Sequence, residues 1–148
     1  MEMKVVILGC GRMGSTMART LSREGHDVTV IDWEPDAFRR LKDFQGKTVL
    51  GNGLDPDVLR RAGIEEADAF VAATNGDNRN ITSVQIAKEI FRVPKVLARI
   101  YDPMRAAAYG QLGIPTICTT MIGAGLMADF IVGRQWGDVN KYCEIPTD

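Results

Sequence analysis

The sequence predicts an α/β fold in which six parallel strands form one doubly wound, Rossmann-like sheet. Short apolar runs recur along the chain and are continuous in hydrophobicity, as strands covered on both faces must be. Segments with helical periodicity lie between them, and this alternation is typical of right-handed βαβ units. With 148 residues, of which 45% are hydrophobic, the chain can bury the core of one domain without disulfides or metals.

The individual elements follow from the apolar runs and from the turn residues between them. Proline stands near three predicted helix starts and glycine follows four of the helices, as helix-terminating chemistry favours. The predicted strands, which we expect to be buried, are Lys4–Leu8, Asp27–Ile31, Lys47–Leu50, Ala69–Thr74, Lys95–Ile100 and Thr116–Thr119. The predicted helices are Met13–Arg23, Asp36–Asp43, Pro56–Ala62, Asn80–Phe91 and Met104–Leu112.

The chain beyond the sixth strand has a different character. The first eight residues of the segment Met121–Val132 carry no polar side chain, and a helix that is apolar all round must be buried on more than one side. We therefore predict a sheet domain at residues 1–120, a crossover helix for dimerisation at 121–137 and a tail at 138–148. The helix packs on a second subunit or, alternatively, within its own domain. The last stretch, Val139–Pro146, is expected to be a short strand or a tail with no place in the sheet.

Charge and cysteine content exclude several classes of protein. The 18 basic residues nearly balance the 19 acidic ones without a basic block, which argues against nucleic acid or an anionic membrane surface as a partner. No run is apolar enough for a signal peptide or a membrane span. Three scattered cysteines and one histidine predict neither a zinc site nor a disulfide framework. We expect a cytoplasmic protein, without direct membrane insertion, whose partners are small molecules or proteins.

A glycine-rich turn joins the first predicted strand to the first predicted helix. The hexapeptide Gly9-Cys10-Gly11-Arg12-Met13-Gly14 has the spacing of a dinucleotide-binding turn. Gly9 permits the tight turn, Gly11 lets a pyrophosphate approach the backbone, and Gly14 permits close packing of helix on strand. The free N–H groups and the positive dipole end of the helix then face the phosphates. This turn predicts a phosphate-binding site.

An acidic residue closes the second predicted strand, where a ribose-binding carboxylate is expected. Asp32 lies 18 residues after Gly14. A carboxylate in this place accepts hydrogen bonds from ribose hydroxyls and repels a 2′-phosphate. NAD(H) or an adenine nucleotide is therefore favoured over NADP(H).

Further candidates follow the carboxyl ends of the other strands, because ligands of open α/β sheets bind in the crevice there. Trp33 comes directly after Asp32 and either covers the adenine or shields the rim of the crevice. The candidate binding residues are Gly9, Cys10, Gly11, Arg12, Met13, Gly14, Asp32, Trp33, Asn52, Gly53, Thr74, Asn75 and Arg99. We predict no catalytic residue and no metal ligand.

Taken together, these residues resemble the nucleotide-binding N-lobe of the Trk/Ktr potassium-uptake regulators, also called the RCK or TrkA-N domain. The resemblance extends from about Met3 to Thr120 and joins the glycine turn and Asp32 to motifs in later segments. These motifs are Gly51-Asn52-Gly53, Leu59, Ala62-Gly63-Ile64, Ala67-Asp68-Ala69, Ala72-Ala73-Thr74, Asp77, Asn80 and Ala98-Arg99.

The resemblance implies a cytoplasmic regulatory subunit without catalytic activity. Such a subunit binds NAD(H), ATP, ADP or AMP, forms a homodimer and assembles into a ring beneath a membrane potassium transporter that it gates. The phosphates are expected on the glycine turn with Arg12 at the terminal phosphate, the ribose at Asp32 and the adenine near Asn52 and Gly53. Thr74, Asn75 and Arg99 would line the remaining wall.

Two departures from the family pattern qualify these expectations. Many members carry Pro-Glu after the last strand, where the Glu contributes to a cation site, but this chain has Thr119-Thr120. We therefore expect no bound cation. The tail at 138–148 falls where a complete regulator begins its C-terminal lobe, so the chain is expected to be a fragment or to work with a lobe elsewhere.

An enzyme is the alternative interpretation. The glycine turn, Met17-Ala18 and Gly25-His26 also look like the opening of the β-hydroxyacid dehydrogenases. Those enzymes need a large helical domain that supplies a catalytic Lys and Asn, and 148 residues leave no room for it. The alternative is therefore a fragment of an NAD-dependent dehydrogenase.

Overall fold

The computed structural model describes residues 1–143, and within them six strands form a single, all-parallel sheet. The strand order is β3-β2-β1-β4-β5-β6, so the order reverses between β1 and β4. This arrangement confirms the doubly wound, Rossmann-like class. The strands are β1 Lys4–Leu8, β2 Asp27–Asp32, β3 Lys47–Leu50, β4 Ala69–Ala72, β5 Lys95–Ile100 and β6 Thr116–Cys118.

Five α-helices connect or follow these strands in the described part of the chain. They are α1 Arg12–Arg23, α2 Pro56–Arg61, α3 Asp77–Gln85, α4 Pro103–Gln111 and α5 Thr119–Val132. A π-helical turn, Ile86–Ile90, continues α3. Two of the starts are capped by an aspartate followed by proline: Asp55 accepts the N–H of Asp57 over 2.9 Å, and Asp102 accepts that of Met104 over 2.9 Å.

The central strand β1 separates two apolar layers. Its alternate residues point to opposite faces, so that Val6 and Leu8 join the larger cluster while Val5 and Ile7 join the smaller one. The larger cluster packs under α2, α3 and the π-helical turn, and the smaller one packs under α1. With both faces covered, β1, β2 and β4 read as continuous apolar runs, which is why the sequence revealed them.

Two expectations about the elements near β2 and β3 are wrong. Strand β3 is not buried: Leu50 is 50% exposed, because β3 is an edge strand whose partner lies on one side only. The segment after β2 is a 3-10 helix at Pro35–Arg40 and does not form the α-helix predicted at 36–43. Within it only Ala37 is buried, so the segment lacks the apolar face that would stabilise a longer helix.

The C-terminal helix differs in extent from the sequence expectation. Helix α5 ends at Val132, because Gly133 takes a left-handed conformation with φ of 78°, whereas the helix was expected to cover 121–137. The chain then folds back on α5, and Val139–Tyr142 forms a 3-10 turn and not the short strand that was one of the two expectations for this stretch. The remainder of the predicted tail, residues 144–148, lies outside the described residues.

Asp129 fastens the returning segment to α5. Its carboxylate accepts hydrogen bonds from Arg134 Nε at 3.0 Å, Lys141 Nζ at 2.7 Å and the Tyr142 hydroxyl at 2.9 Å. These bonds lower the pKa of the Asp129 carboxyl from 3.8 to about 2. Gly125 provides the space for the ring of Tyr142, since a Cβ at Gly125 would overlap that ring.

None of the helices within residues 1–143 combines the length and apolar composition that a bilayer crossing requires.

Candidate functional site

A cavity of about 1420 Å³ opens at the carboxyl ends of the central strands, where the strand order reverses. This is the place at which open α/β sheets bind ligands. The structure brings eleven of the thirteen candidate residues into its lining: Gly9, Cys10, Gly11, Arg12, Met13, Asp32, Trp33, Gly53, Thr74, Asn75 and Arg99. Gly14 and Asn52 are not among the lining residues.

The glycine turn has the geometry of a phosphate cradle. Gly9 adopts φ of 106°, and a Cβ there would approach the carbonyl oxygen of Ala73 to 2.9 Å. A Cβ on Gly14 would overlap the carbonyl oxygen of Gly9, so Gly14 contributes through close packing and not as part of the lining. At Gly11, by contrast, an added Cβ would meet nothing within 4 Å. The backbone before α1 is therefore open to a ligand at the position where a pyrophosphate needs to approach.

Asp32 is held in place by the backbone on both sides of its carboxylate. Oδ2 accepts the N–H of Cys10 at 2.8 Å, and Oδ1 accepts the N–H of Glu34 at 2.9 Å. An ionised carboxylate offers about four acceptor positions, so each oxygen retains capacity for a ribose hydroxyl. The side chain lines the cavity and is half-buried. It thus acts both as a link between the glycine turn and β2 and as an acceptor presented to a ligand.

Asn52 does not contribute its side chain to the cavity, in contrast to the expectation that it contacts the adenine. Its Oδ1 accepts the N–H of Leu54 at 3.0 Å, and the side chain is exposed. Asn52 therefore acts as a turn residue of the type that bonds its own backbone two residues ahead. Its neighbour Gly53 does line the cavity, where a Cβ would overlap the side chain of Leu8.

The wall at β4 and β5 is fixed by the fully buried amide of Asn80. Its Oδ1 accepts the N–H of Thr74 at 3.0 Å and bonds the Thr74 hydroxyl at 2.6 Å. Its Nδ2 donates to the carbonyl oxygens of Thr74 at 3.0 Å and Arg99 at 2.8 Å. One side chain of α3 thereby ties together the ends of two neighbouring strands. Thr74 and Arg99 owe their places in the cavity to this network.

Asp77, one turn before Asn80 in α3, also holds a segment of the cavity wall in place, namely the loop after β5. Its buried carboxylate accepts the N–H of Tyr101 at 2.8 Å and that of Asp102 at 3.1 Å, and Arg105 lies 3.8 Å away. Tyr101 lines the cavity, so the loop after β5 is positioned from α3 as well. The sequence indicated Asp77 as the last residue of a loop, Thr74-Asn75-Gly76-Asp77, expected at the crevice, and Asn80 only as part of the family resemblance. It assigned neither residue a positioning role.

Arg99 is half-buried and lines the cavity. Its guanidinium carbon stands 4.0 Å from the ring centroid of Tyr101, and within residues 1–143 its buried Nε has no hydrogen-bond partner. Burial lowers the pKa of the guanidinium, while the nearby Asp77 acts in the opposite direction. A guanidinium with a free donor in a cavity is suited to an anionic or carbonyl oxygen of a ligand.

The cavity carries more positive than negative side chains. The basic residues in the lining are Arg12, Arg39, Arg40, Lys42, Arg79 and Arg99, and the acidic ones are Asp32, Glu34 and Asp36. As far as the described residues show, only Arg39 of these bases has a carboxylate partner, Asp36 at 3.5 Å. Cations that line a cavity without counter-charges favour an anionic ligand. Sequence reasoning missed Arg39, Arg40 and Lys42, although their closeness to Asp32 along the chain was a signal.

The thiol of Cys10 is not a reactive group of this site. Burial and the charge of Asp32 raise its pKa to about 11, and the thiol donates to the carbonyl oxygen of Ala37 at 3.3 Å. A thiol that stays protonated is a poor nucleophile and a poor metal ligand. Among residues 1–143, no three His, Cys, Asp or Glu side chains come together as a metal site would require.

Comparison with known proteins decides the family. The model of the TrkA-N domain matches residues 5–120. The chain belongs to the TrkA-N domain family. It is 55% identical over 118 residues to the Trk system potassium uptake protein TrkA of Streptomyces coelicolor, covering 79% of this chain and 53% of that protein. It is 39% identical to a TrkA homolog of Methanothermobacter thermautotrophicus over 93% of this chain and 64% of the homolog. The chain thus spans about half the length of its Streptomyces relative.

Solved structures of related domains share the fold. The AMP-bound C-terminal domain of the Shewanella denitrificans Kef protein superposes with a TM-score of 0.73 at 25% identity, over 94% of this TrkA-N chain and 86% of that one. The GsuK channel bound to NAD gives a TM-score of 0.75 at 22% identity, over 88% of this chain and 23% of that one. The TrkA-N domain of Escherichia coli ybaL gives 0.77 at 18% identity, covering 88% and 98% of the two chains.

Proposed function

We propose that this chain is the nucleotide-binding domain of a regulatory subunit that controls a membrane potassium transporter from the cytoplasmic side. Membership of the TrkA-N family supports the physiological role, and the Streptomyces and Methanothermobacter relatives described above are named as a potassium uptake protein and a homolog of one. The ligand is NAD(H) or an adenine nucleotide, ATP, ADP or AMP. Residues 1–120 form the nucleotide-binding domain, and the segment from 121 onward connects it to a second subunit.

One observation carries the ligand proposal: the open backbone at Gly11 and the carboxylate of Asp32 face the same cavity, and the cavity has a surplus of positive charge. The turn is shaped for phosphates and Asp32 has free acceptor positions for a ribose. Arg12 lies in the first turn of α1, where it can meet a terminal phosphate. These residues fit a nucleoside diphosphate group, and no reaction is needed to explain them.

Regulation requires that the ligand prefers one arrangement of the subunits over another. A ligand with equal affinity for both arrangements shifts nothing, and moving an equilibrium from 1:99 to 99:1 takes about 10⁴-fold preference. The cavity is lined from both sides of the strand reversal, by Asp32 at the end of β2 and by Thr74 after β4 and Arg99 near the end of β5. A nucleotide that contacts both sides can therefore favour one relative position of the two halves of the sheet over another.

Helix α5 supports a homodimer, with a larger ring as the extension of that contact. Its last turn exposes apolar side chains: Phe130 is 72% and Ile131 is 79% exposed. Met127, Val132 and Trp136 extend the same exposed apolar region. A patch of large apolar side chains on one helix end is typical of a subunit interface. A second copy of the chain satisfies it, as the crossover-helix interpretation requires.

A non-enzymatic role is proposed from the carboxylates in the described lining of the cavity. Asp32 accepts two backbone N–H groups and its remaining acceptor positions are assigned to the ribose, while Glu34 and Asp36 are exposed. The dehydrogenase fragment remains the rival. Incubation with NAD and a panel of hydroxyacids separates the two, because NADH production above background would establish the enzyme and contradict the regulator.

Calorimetric titration tests the ligand site directly. Wild type and Asp32→Ala are titrated with NADH, NAD, ATP, ADP and AMP. Asp36→Ala is the matched control, since it removes a carboxylate that lies in the same lining but pairs with Arg39. We expect loss of binding in Asp32→Ala and near wild-type binding in Asp36→Ala. Equal affinities of wild type and Asp32→Ala would contradict the proposed nucleotide site at Asp32.

A further inference from the structure

Two side chains from opposite sides of the cavity stack on one another. The guanidinium carbon of Arg79 lies 3.8 Å from the centroid of the Trp33 ring. Trp33 directly follows β2, whereas Arg79 lies in the first turn of α3, which follows β4. Strands β2 and β4 flank β1 on its two sides, and both side chains line the cavity. The stack therefore bridges the crevice from one half of the sheet to the other.

The stack is built so that it can open. Trp33 is 52% exposed, and in the part of the chain that the structure describes Arg79 forms no ion pair with a carboxylate. A cation over an exposed aromatic ring is held only weakly. Another planar group can replace the guanidinium on the indole without breaking a hydrogen-bond network.

A bound nucleotide brings such a planar group to this place. If the diphosphate rests on the glycine turn and the ribose on Asp32, the base projects from the ribose away from the phosphates, towards the neighbouring Trp33. Bases stack readily on aromatic side chains, because every base has a π-face. The indole thus offers the base a stacking surface in the cavity lining, and Arg79 lies over this ring.

We propose that Arg79 and the adenine base compete for the same face of Trp33, so that binding of an adenine nucleotide releases Arg79 from the indole. This inference rests on the proposed function and adds to it the residues that receive the base. Arg79 then acts as an internal occupant of the base site. Its release changes the one described stacking contact that joins the loop after β2 to α3, and so links occupancy of the site to the position of α3.

Fluorescence tests the exchange. The chain contains two tryptophans, so Trp136→Phe leaves Trp33 as the single reporter. The probes are ADP and pyrophosphate, which share the diphosphate but differ in the base. We expect ADP to change the Trp33 emission with the same concentration dependence as its calorimetric binding, and pyrophosphate to bind without that change. ADP binding that leaves the emission unaltered would overturn the proposal.

The variant Arg79→Ala tests whether Arg79 competes with the base, because the direction in which the preference for ADP over pyrophosphate changes differs between the two possibilities. Removing the competitor raises the preference for ADP over pyrophosphate by roughly two- to fivefold, the size expected for one exposed cation–π contact. Pyrophosphate corrects for the loss of a positive charge, because that loss weakens both ligands. If Arg79 instead formed a second wall around the base, the same preference would fall. A lower or unchanged preference therefore overturns the proposal.

Arg60→Ala is the matched control. Arg60 stacks on Phe91 with 5.4 Å between guanidinium carbon and ring centroid, and neither residue lines the cavity. We expect this variant to bind both probes as wild type does. The failures are distinguishable: absence of ADP binding to wild type overturns the exchange, and absence of binding of all of NADH, NAD, ATP, ADP and AMP overturns the proposed function as well. Normal ADP binding with an unchanged preference in Arg79→Ala overturns the exchange alone.

Discussion

The backbone N–H of Cys10 donates a hydrogen bond of 2.8 Å to Oδ2 of Asp32, and this bond joins the glycine turn to the end of β2. Cys10 is fully buried, so its N–H has no access to water as an alternative acceptor. The ribose-binding candidate therefore also stabilises the turn that is proposed to bind the phosphates. The proposed ligand binding and the local stability therefore involve the same carboxylate.

Asp32→Ala is accordingly expected to lower the free energy of unfolding by about 1–3 kcal/mol, the cost of leaving a buried donor unpaired. Urea denaturation of the ligand-free protein measures the change. Asp36→Ala provides the comparison, because Asp36 is exposed and pairs only with the exposed Arg39 at 3.5 Å. It should stay within about 0.5 kcal/mol of wild type. Equal stability of Asp32→Ala and wild type would show that the Cys10 bond contributes nothing.

The glycine turn offers a second matched pair of substitutions. Gly14→Ala places a methyl group against the carbonyl oxygen of Gly9, so α1 must shift away from β1. We expect a loss of about 1–3 kcal/mol in thermal or urea unfolding, typical of forced overpacking. Gly11→Ala meets nothing within 4 Å and has an ordinary φ of −76°, so its stability should be close to that of wild type.

The same two variants are expected to differ in ligand binding in a way that stability does not explain. Gly11 lines the cavity, so the methyl group of Gly11→Ala would occupy space that the proposed phosphate needs in order to approach the backbone. Calorimetry should show weaker ADP binding for Gly11→Ala although the protein is folded. Wild-type affinity in Gly11→Ala would mean that no phosphate approaches the backbone at that glycine.

The parts of the fold that the sequence revealed are those with a local signal. The apolar runs located all six strands to within two residues. The signal is clearest in β1, β2 and β4, which are covered on both faces. The glycine spacing and Asp32 predicted a phosphate-binding turn from residue types alone, since a tight turn requires glycine and a ribose contact requires an acceptor side chain.

Features that depend on distant contacts were not accessible in this way. Nothing local shows that β3 would be an edge strand, and its exposure was therefore mispredicted. The bond that Asn52 accepts from the Leu54 N–H and its absence from the cavity lining were likewise not visible in the residue type. Arg79 meets Trp33 only because β2 and β4 are placed on opposite sides of β1.

Asn80 is expected to be the residue of α3 whose loss most disturbs the cavity wall. Asn80→Ala removes a fully buried amide and leaves the half-buried N–H of Thr74 and carbonyl oxygen of Arg99 without their partner. We expect at least about 2 kcal/mol of destabilisation, judged by urea denaturation, and weaker ADP binding. Asn78→Ala is the control, because the exposed Asn78 makes only one side-chain bond, to the Tyr109 hydroxyl at 3.3 Å. Unaltered stability in Asn80→Ala would contradict a tying role for this amide.

The contact of Asp129 with the returning segment predicts a dependence on pH. Its carboxyl pKa is lowered from 3.8 to about 2 by the bonds to Lys141, Arg134 and Tyr142. The stabilisation is thus fully present above the unfolded-state value and is lost as the pH falls through the folded-state value. Between about pH 4 and pH 2 the segment should detach from α5.

Trp136 reports this detachment, because its Nε1 donates to the carbonyl oxygen of Leu126 at 3.0 Å. In a Trp33→Phe background, acid titration should change the Trp136 emission in that pH window. Asp129→Asn, which lacks the charge, should show the detached emission already at pH 7. A pH-independent signal in both proteins would rule out the carboxylate as the fastening group.

Helix α5 provides the last prediction, which concerns assembly. The exposed apolar side chains of its final turn and of Trp136 need a partner surface, and a second copy of the chain is proposed to supply it. Sedimentation equilibrium of wild type should therefore show a dimer. Phe130→Asp combined with Ile131→Asp should shift the population to monomer, since two charges at the contact must be desolvated. Met104→Asp is the control: Met104 is 80% exposed on α4 and outside this region, so the dimer should persist. A wild-type protein that stays monomeric at all concentrations, with α5 helical by hydrogen exchange, would contradict the crossover role of the helix.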